Sequence, residues 1–303
     1  MKTALLVTLG IFTAGFVFLW LLAIFANRRD DRLAEGAPPK WMPGPLDTAI
    51  GFVTNFFDTL SIGSFATTSA LFKVFGLVRD ELIPGTLNVG HTLPSILQAF
   101  IYIQLVKVDV VTLTTMIAAA CLGAWLGAGI VSGLPRRKIQ LGMGSALLFL
   151  AVVVALTALK VIPGSGTALT LTGSKLVFAI VCNAILGALM TIGVGLYAPC
   201  MALISLLGMD PTAAFPIMMG SCAFLMPVGS ARFMRTRKYN LKSALGLAIG
   251  GLPAVPLAAF IVKSLPPKVV PWLVVAVVIY AATMLLHSAA RERQQRRLVA
   301  QVS

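Results

Sequence analysis

Two apolar segments of the chain are interrupted by glycine, proline and hydroxyl-bearing residues, and these interruptions are the places where the sequence could bind an anion. The first reads SIGSFATTS over residues 61–69, and the second reads TIGVGLYAP over residues 191–199. A half-helix that begins after Gly63 would present unpaired N–H groups near Ser64, Phe65 and Ala66 at its positive end, which is a ready-made anion site. The candidate ligand-binding residues of the two segments are Ser64, Thr67, Thr68, Ser69, Gly193, Gly195, Tyr197 and Pro199.

A stripe of polar residues lies on the predicted helix at 84–105, which follows the first interruption. Asn88, His91, Ser95, Gln98 and Tyr102 are spaced 3, 4, 3 and 4 residues apart. This spacing places all five on one helix face. Inside a bilayer such a face is expected to contact protein or a cavity and not lipid. Asn88 and His91 are the members expected to reach a ligand, and Ser221 is the corresponding candidate in the second half, beside Gly220.

Asp58 is the one acidic residue deep in an apolar segment. An ionised Asp at the bilayer centre costs about 2.5–3.5 kcal/mol, so we expect it to be protonated, paired or solvated. Two interpretations stay open. Asp58 could couple proton or cation movement to anion movement, with His91 as a second titratable group. Alternatively, Asp58 caps a half-helix by accepting backbone N–H groups. The hydroxyl residues likewise have a structural interpretation, in which they bond to carbonyls of their own helix.

The composition places the chain in a membrane. Of its 303 residues 58% are hydrophobic and 11% are charged, and the mean hydropathy is +0.94. Lipid can cover that much apolar surface, whereas a soluble core cannot use it. The net charge of +14 comes in short clusters between apolar runs, without a basic stripe and interleaved aromatic residues, so we predict no nucleic-acid partner. Four separated cysteines without metal-ligand spacing predict reduced thiols, and no cofactor or metal is expected.

The apolar runs divide the chain into five parts. We predict an N-terminal transmembrane helix and cytoplasmic loop at 1–45, a first repeat at 46–160, a linker at 161–175, a second repeat at 176–288 and a basic cytoplasmic tail at 289–303. The first apolar run, 4–26, is too long for a signal-peptide core, so we interpret it as a retained span. Broken segments are expected at about 47–75 and 176–207. Uninterrupted segments are expected at about 84–105, 110–133, 138–159, 214–233, 243–264 and 269–288.

The two halves match position by position. Gly63 falls opposite Gly195, and Gly76 falls opposite Gly208; downstream the register slips by one residue, so that Asp109 pairs with Asn240. Corresponding interruptions in two halves of a membrane protein are the best sequence indication of a transporter's binding site. The alternative is duplication of a purely structural bundle, but that does not explain why the breaks match.

The distribution of basic residues indicates how the broken segments lie. If both turn back within the membrane, 18 Lys and Arg lie on the cytoplasmic side against 6 outside; if both cross, the split is 16 against 8. The positive-inside rule therefore favours re-entrant segments. The predicted fold is an all-α polytopic membrane protein of two inverted repeats, each with a broken or re-entrant helix plus three spanning helices, preceded by one extra N-terminal helix. The C-terminus is predicted to be cytoplasmic.

The glycine-rich segment ending in proline, 192–199, together with Gly208 and the two-repeat layout, resembles the TauE/SafE sulfite-exporter family, also called the toluene-sulfonate uptake permease family. The resemblance covers about residues 47–288 and implies transport of sulfite, sulfonates or other small sulfur-containing anions. The first repeat departs from the family pattern, with Ser64, Phe65 and Thr67 where glycines and proline would be expected.

These observations predict a multi-pass transporter in the cell (inner or plasma) membrane. It would move a small oxyanion, contact membrane lipid and have a second copy of the chain as a possible partner. An enzyme is disfavoured because the sequence has only two histidines and no HExxH, GxSxG or acidic pair. An anion channel or a membrane-embedded subunit of a larger complex remains the alternative. The sequence has no ATP-binding loop, so pumping would need an ion gradient or a partner.

Overall fold

The computed structural model describes residues 2–32, 42–131, 136–159, 166–190, 196–264 and 270–302, and this part of the chain is helical without a named strand. The first six helices are α1 (Lys2–Arg32), α2 (Pro45–Thr59), α3 (Ser64–Val74), α4 (Ile83–Leu105), α5 (Val110–Val131) and α6 (Arg136–Ala158). The remaining five are α7 (Gly173–Met190), α8 (Tyr197–Leu206), α9 (Ala214–Arg235), α10 (Leu241–Ser264) and α11 (Val270–Val302). Short 3₁₀ helices, Asp80–Leu82 and Pro211–Ala213, precede α4 and α9.

The predicted helical fold is confirmed, and the first predicted break is present between α2 and α3. The last helix, α11, continues to Val302, beyond the predicted span at 269–288. In the second half, α7 and α8 flank residues 191–195, so Gly193 and Gly195 lie outside the described residues.

Four helical stretches within the described residues are long and apolar enough to cross a membrane. They are Lys2–Phe25, Gly173–Met190, Pro211–Arg235 and Leu241–Ile261. Exposed apolar side chains lie along these stretches, for example Phe18 on α1 and Phe260 on α10. A surface of this kind is stable only where lipid or another apolar partner covers it. The predicted class of multi-pass membrane protein is therefore supported by the structure.

The chain forms two compact units, and each takes helices from both halves of the sequence. One unit contains residues 1–105 and 219–264, and the other contains residues 106–218 and 265–303. In the first unit α2 packs along α10, and in the second α7 packs along α5. In each of these pairings the first helix of one half of the sequence packs along the fourth helix of the other half.

The short helices after both interruptions end in the same way. Gly76 follows α3 with a φ of +61°, and Gly208 follows α8 with a φ of +84°. After α3, the N–H of Leu77 donates to the carbonyl of Phe72 at 3.0 Å; after α8, the N–H of Met209 donates to that of Ile204 at 3.2 Å. This is the Schellman arrangement, in which a left-handed residue, usually glycine, turns the chain back over the last carbonyls. Matching glycines in the sequence thus have matching conformations.

Helices α2 and α10 cross with their backbones almost in contact. A Cβ added to Gly51 would lie 2.6 Å from the Cα of Leu247, and one added to Gly250 would lie 2.0 Å from the carbonyl oxygen of Thr48. Small residues permit such a crossing between membrane helices, where close packing and interhelical hydrogen bonds drive association. The side chain of Asn55 supplies one of those bonds, donating to the carbonyl of Leu247 at 3.4 Å.

The crossing of α7 with α5 repeats this arrangement with glycine and asparagine exchanged. A Cβ on Gly187 would lie 2.1 Å from the carbonyl oxygen of Ala120, and the Asn183 side chain donates to the carbonyl of Met116 at 2.7 Å. In the register of the two halves, Asn183 corresponds to Gly51 and Gly187 to Asn55. The two carbonyl acceptors, on Leu247 and Met116, are also corresponding positions. Each crossing therefore combines one glycine with one asparagine, one helical turn apart.

A buried carboxylate joins the beginnings of α2 and α10. Asp47 is 1% exposed, and it accepts hydrogen bonds from the Ser243 hydroxyl at 2.6 Å and the Gly44 N–H at 3.2 Å. The ammonium of Lys242 lies 3.7 Å from Oδ2 of Asp47, the oxygen that accepts the Gly44 N–H, and it completes an ion pair. Asp47 lies in the first turn of α2, where a negative charge also suits the helix dipole. This group fixes α2 against α10 at the end opposite the break.

Candidate functional site

The break between α2 and α3 is a tight turn that carries two left-handed residues. At the end of α2, Ser61 has a φ of +72°, and the N–H of Ile62 donates to the carbonyl of Phe57 at 3.0 Å. Gly63 follows with a φ of +85°, and α3 begins at Ser64. The turn ends one helix and starts the next within four residues, so the first N–H groups of α3 are presented at the break.

Asp58 reaches across this break and holds both α3 and α4. One carboxylate oxygen accepts the Ser64 N–H at 2.7 Å, and the other accepts from the Gln98 amide at 3.0 Å. The side chain of Asp58 is buried. The capping interpretation of Asp58 is therefore confirmed: it is paired with backbone and side-chain donors instead of facing lipid. A role in proton coupling stays a prediction.

His91 connects the same three helices through both ring nitrogens. Its Nδ1 lies 2.9 Å from the Oδ1 of Asn55 on α2, and its Nε2 lies 3.1 Å from the hydroxyl of Thr68 on α3. The amide nitrogen of Asn55 donates to the carbonyl of Gly51 at 2.7 Å, which leaves its oxygen to accept from His91. A neutral imidazole with the proton on Nδ1 then accepts from the Thr68 hydroxyl, so each group in the chain has one donor and one acceptor.

The polar stripe of α4 is buried in protein as its spacing predicts. His91, Ser95, Gln98 and Tyr102 are each at most 1% exposed. Gln98 also donates to the hydroxyl of Thr59 at 3.0 Å, and the Tyr102 hydroxyl lies 3.4 Å from the carbonyl of Thr59. The stripe is therefore one side of a buried polar cluster, which we define as Asn55, Asp58, Thr59, Thr68, His91, Gln98 and Tyr102. Such a cluster inside a membrane protein marks a candidate binding or transport pathway.

Asn88 and Thr67 differ from the other candidates, because each bonds to its own helix. The Asn88 amide donates to the carbonyl of Pro84 at 2.9 Å. The Thr67 hydroxyl donates to the carbonyl of Ser64 at 2.9 Å and lies 3.3 Å from that of Gly63. These are the local bonds that threonine commonly makes in membrane helices. Ser69 lies half-buried on α3. Among the hydroxyl residues Thr67, Thr68 and Ser69 of α3, Thr68 is the one whose described hydrogen bond reaches another helix.

The candidates of the second half are distributed over both compact units. Tyr197 is the first residue of α8 and is 7% exposed, and Pro199 lies in the same first turn. Proline suits this turn because its missing N–H would have no helical partner there. Ser221 lies on α9 and is fully buried. Tyr197 and Pro199 belong to the second unit, whereas Ser221 belongs to the first together with the buried polar cluster.

Asn55 and Thr59 were missed by the sequence analysis, although both belong to the cluster. Both lie on α2 with Asp58: Asn55 is three residues before Asp58, and Thr59 is one residue after it. Gly51 lies one helical turn before Asn55. This spacing continues one face of a helix. A search for polar residues on the same face as Asp58 would have found both. Among the described residues no group of three or more His, Cys, Asp or Glu side chains could hold a metal ion.

Comparison with known proteins adds a family to this geometry. Residues 176–302 match the family model of the sulfite exporter TauE/SafE. The matched stretch is less than half of the chain, and it is similar to the TauE/SafE family. The match includes α8 to α11 in full and most of α7, and it confirms the predicted resemblance over that stretch. No curated protein and no solved structure matches the chain. The description of that family model names a sulfite exporter, which is a membrane transporter.

Proposed function

We propose that this chain is a secondary transporter that moves a small sulfur-containing oxyanion, such as sulfite or a short sulfonate, across the cell membrane. The observation that carries the proposal is the buried polar cluster at the break between α2 and α3. Three helices contribute hydroxyl, amide and imidazole groups there, next to the positive end of α3. Neutral donors of this kind suit a transported oxyanion, because a site that releases its ligand must not bind it too tightly.

The ligand would bind to the first turn of α3. The carboxylate of Asp58 accepts a hydrogen bond from the N–H of Ser64. The N–H groups of Phe65 and Ala66, in the same turn, would donate to the anion. The Thr68 hydroxyl lies one turn further; in the structure it donates to Nε2 of His91, and it would turn from that nitrogen to the anion when the anion binds. An oxyanion with three oxygens can accept from such a set of donors at once, and the helix dipole favours its charge.

Asp58 gives this site a means of coupling anion movement to a proton. Its carboxylate already occupies part of the helix N-terminus, and a second negative charge there is disfavoured in the poorly solvated interior. We propose that Asp58 is protonated when the anion binds, with His91 as the second titratable group. One proton would then move with each anion. The inverted arrangement of the two repeats would provide the alternating access that such a carrier needs.

The test is uptake of sulfite, sulfate, thiosulfate and short sulfonates into proteoliposomes, with and without an imposed pH gradient. We expect saturable uptake of at least one of these anions. Thr68→Val keeps the shape of the side chain but removes its hydroxyl. We expect it to raise the anion concentration at half-saturation about tenfold, the effect of losing one hydrogen bond worth about 1.4 kcal/mol.

Thr13→Val is the matched control, because Thr13 donates only to the carbonyl of Leu9 on the lipid-facing α1 in the described contacts. It is expected to transport like the unaltered protein. Absence of flux for every anion, in protein shown to be folded, would reject the sulfur-oxyanion substrate and favour a subunit of a larger complex. Flux that does not saturate would favour a channel.

A further inference from the structure

The hydroxyl of Ser61 has no hydrogen-bond partner among the described residues, although it is buried. The residue is 1% exposed, and its oxygen is among the few buried polar side-chain atoms that no described donor or acceptor reaches. Buried polar groups in native proteins are nearly always hydrogen-bonded, so each exception requires a reason. A hydrogen bond to a ligand that binds there is one such reason.

The backbone at Ser61 makes the choice of serine more costly. Ser61 has the left-handed conformation that ends α2, the position that Gly76 and Gly208 have after α3 and α8. Glycine is the favoured residue there, because a Cβ is strained at positive φ. Arg237 has the equivalent conformation after α9, but its side chain is exposed. Ser61 therefore combines a conformation in which glycine would be less strained with a buried hydroxyl that has no partner among the described residues.

Ser61 lies beside the N-terminus of α3. Its N–H donates to the carbonyl of Asp58 at 2.8 Å, and the carboxylate of that same Asp58 accepts the N–H of Ser64 at 2.7 Å. Gly63 lies between the two serines, and a Cβ added to it would meet nothing within 4 Å. Open space thus borders the backbone where α3 begins, two residues after Ser61.

We propose that Ser61 is a substrate-binding residue, whose hydroxyl donates a hydrogen bond to an oxygen of the transported oxyanion at the N-terminus of α3. The N–H groups of Phe65 and Ala66 complete the set of donors. This inference rests on the proposed function and assigns one more contact to its site. It gives the hydroxyl a partner only when the anion is bound, which explains why serine is present where glycine would be more stable.

The experiment measures sulfite binding and thermal stability of Ser61→Ala and Ser61→Gly in the full chain. Ser61→Ala removes the hydroxyl and keeps the strained conformation; Ser61→Gly removes both. We expect the Kd for sulfite to rise about tenfold in both variants, as for loss of one hydrogen bond to a charged ligand. The melting temperature without ligand should be unchanged or higher in Ser61→Ala and clearly higher in Ser61→Gly. Stability and affinity would thus change in opposite directions.

Ser145→Ala is the matched control, because Ser145 is exposed on α6 and donates to the carbonyl of its own helix at Gly142. Its affinity for sulfite should be unchanged. If both Ser61 variants bind sulfite as tightly as the unaltered protein, Ser61 only ends α2 and the inference is wrong. If the unaltered protein binds neither sulfite nor a short sulfonate, the proposed function itself fails, and the inference fails with it.

Discussion

Replacing Asp58 with asparagine tests whether this carboxylate is charged in the substrate-free protein. In the structure, one oxygen of Asp58 accepts from the Ser64 N–H and the other from the amide of Gln98. Asparagine can keep the first bond, but its NH₂ group would face the NH₂ group of Gln98. Gln98 could turn its amide over, and it would then lose its bond to the hydroxyl of Thr59. The substitution therefore disturbs the cluster without changing its volume.

The size of the effect depends on the charge of Asp58. Hydrogen bonds to an ionised carboxylate contribute about 1.5–3 kcal/mol each, and neutral ones about 0.5–1.5 kcal/mol. If Asp58 is ionised, Asp58→Asn replaces two hydrogen bonds to a charged group with two neutral ones, so the free energy of unfolding should fall by about 2 kcal/mol. If Asp58 is already protonated, the loss should be below about 1 kcal/mol, because a carboxylic acid and an amide have similar donors and acceptors.

The assay combines thermal unfolding in one detergent at neutral pH with sulfite uptake as a function of external pH. For Asp58→Asn we expect lower stability, measurable ligand binding and loss of the pH dependence of transport. Asp109→Asn is the matched control. Asp109 caps α5 by accepting the N–H of Thr112 at 2.9 Å, and Asn240 caps α10 in the same way. Unchanged pH dependence in Asp58→Asn would refute the coupling role of Asp58.

Three further predictions concern packing and topology. Gly187→Ala places a Cβ 2.1 Å from the carbonyl oxygen of Ala120 and should lower the free energy of unfolding by about 1–3 kcal/mol. The control is Gly15→Ala, whose added Cβ meets nothing within 4 Å and should leave stability unchanged. Equal melting temperatures of the two variants would contradict the close crossing of α7 and α5. Asp47→Ala removes the bonds to Ser243 and Gly44 and should lower stability by about 1–3 kcal/mol in unfolding assays; an unchanged melting temperature would show that this group does not hold α2. In a chain whose own cysteines are replaced, Lys107→Cys should react with an impermeant maleimide from outside the cell; reaction only from the cytoplasm would mean that the first broken segment crosses the membrane.

The helices could be predicted from sequence because their signals are local. Apolar runs gave their positions, and glycine and proline gave their ends, as at Gly63 and Gly76. The burial of the α4 stripe could also be predicted, because spacing places residues on one face and lipid excludes polar faces. The pairing of α2 with α10 could not. It depends on backbone contact at Gly51 and on a bond from Asn55 to a carbonyl about 190 residues away, and such contacts leave no local pattern.

The candidate site was only partly predictable for a related reason. Thr67 and Thr68 are adjacent and have the same chemistry, yet one hydroxyl bonds to its own helix and the other to His91. Helix rotation decides between these outcomes, and tertiary packing sets that rotation. The capping interpretation of Asp58 was likewise decided only in three dimensions, by the distance from its carboxylate to the Ser64 N–H, and the coupling interpretation stays a prediction. Ser61 was not among the candidates, because its strain and its lack of a partner are visible only in three dimensions.

Counterflow of labelled sulfite is the most direct test of the proposed transporter. Proteoliposomes loaded with a high concentration of unlabelled sulfite are diluted into a low concentration of labelled sulfite, with the membrane potential and the pH gradient abolished. A carrier with an alternately exposed site at the α2–α3 break should accumulate label transiently above its external concentration, and Thr68→Val should reduce that accumulation. Entry of label that only equilibrates, with no transient accumulation, would contradict a carrier mechanism.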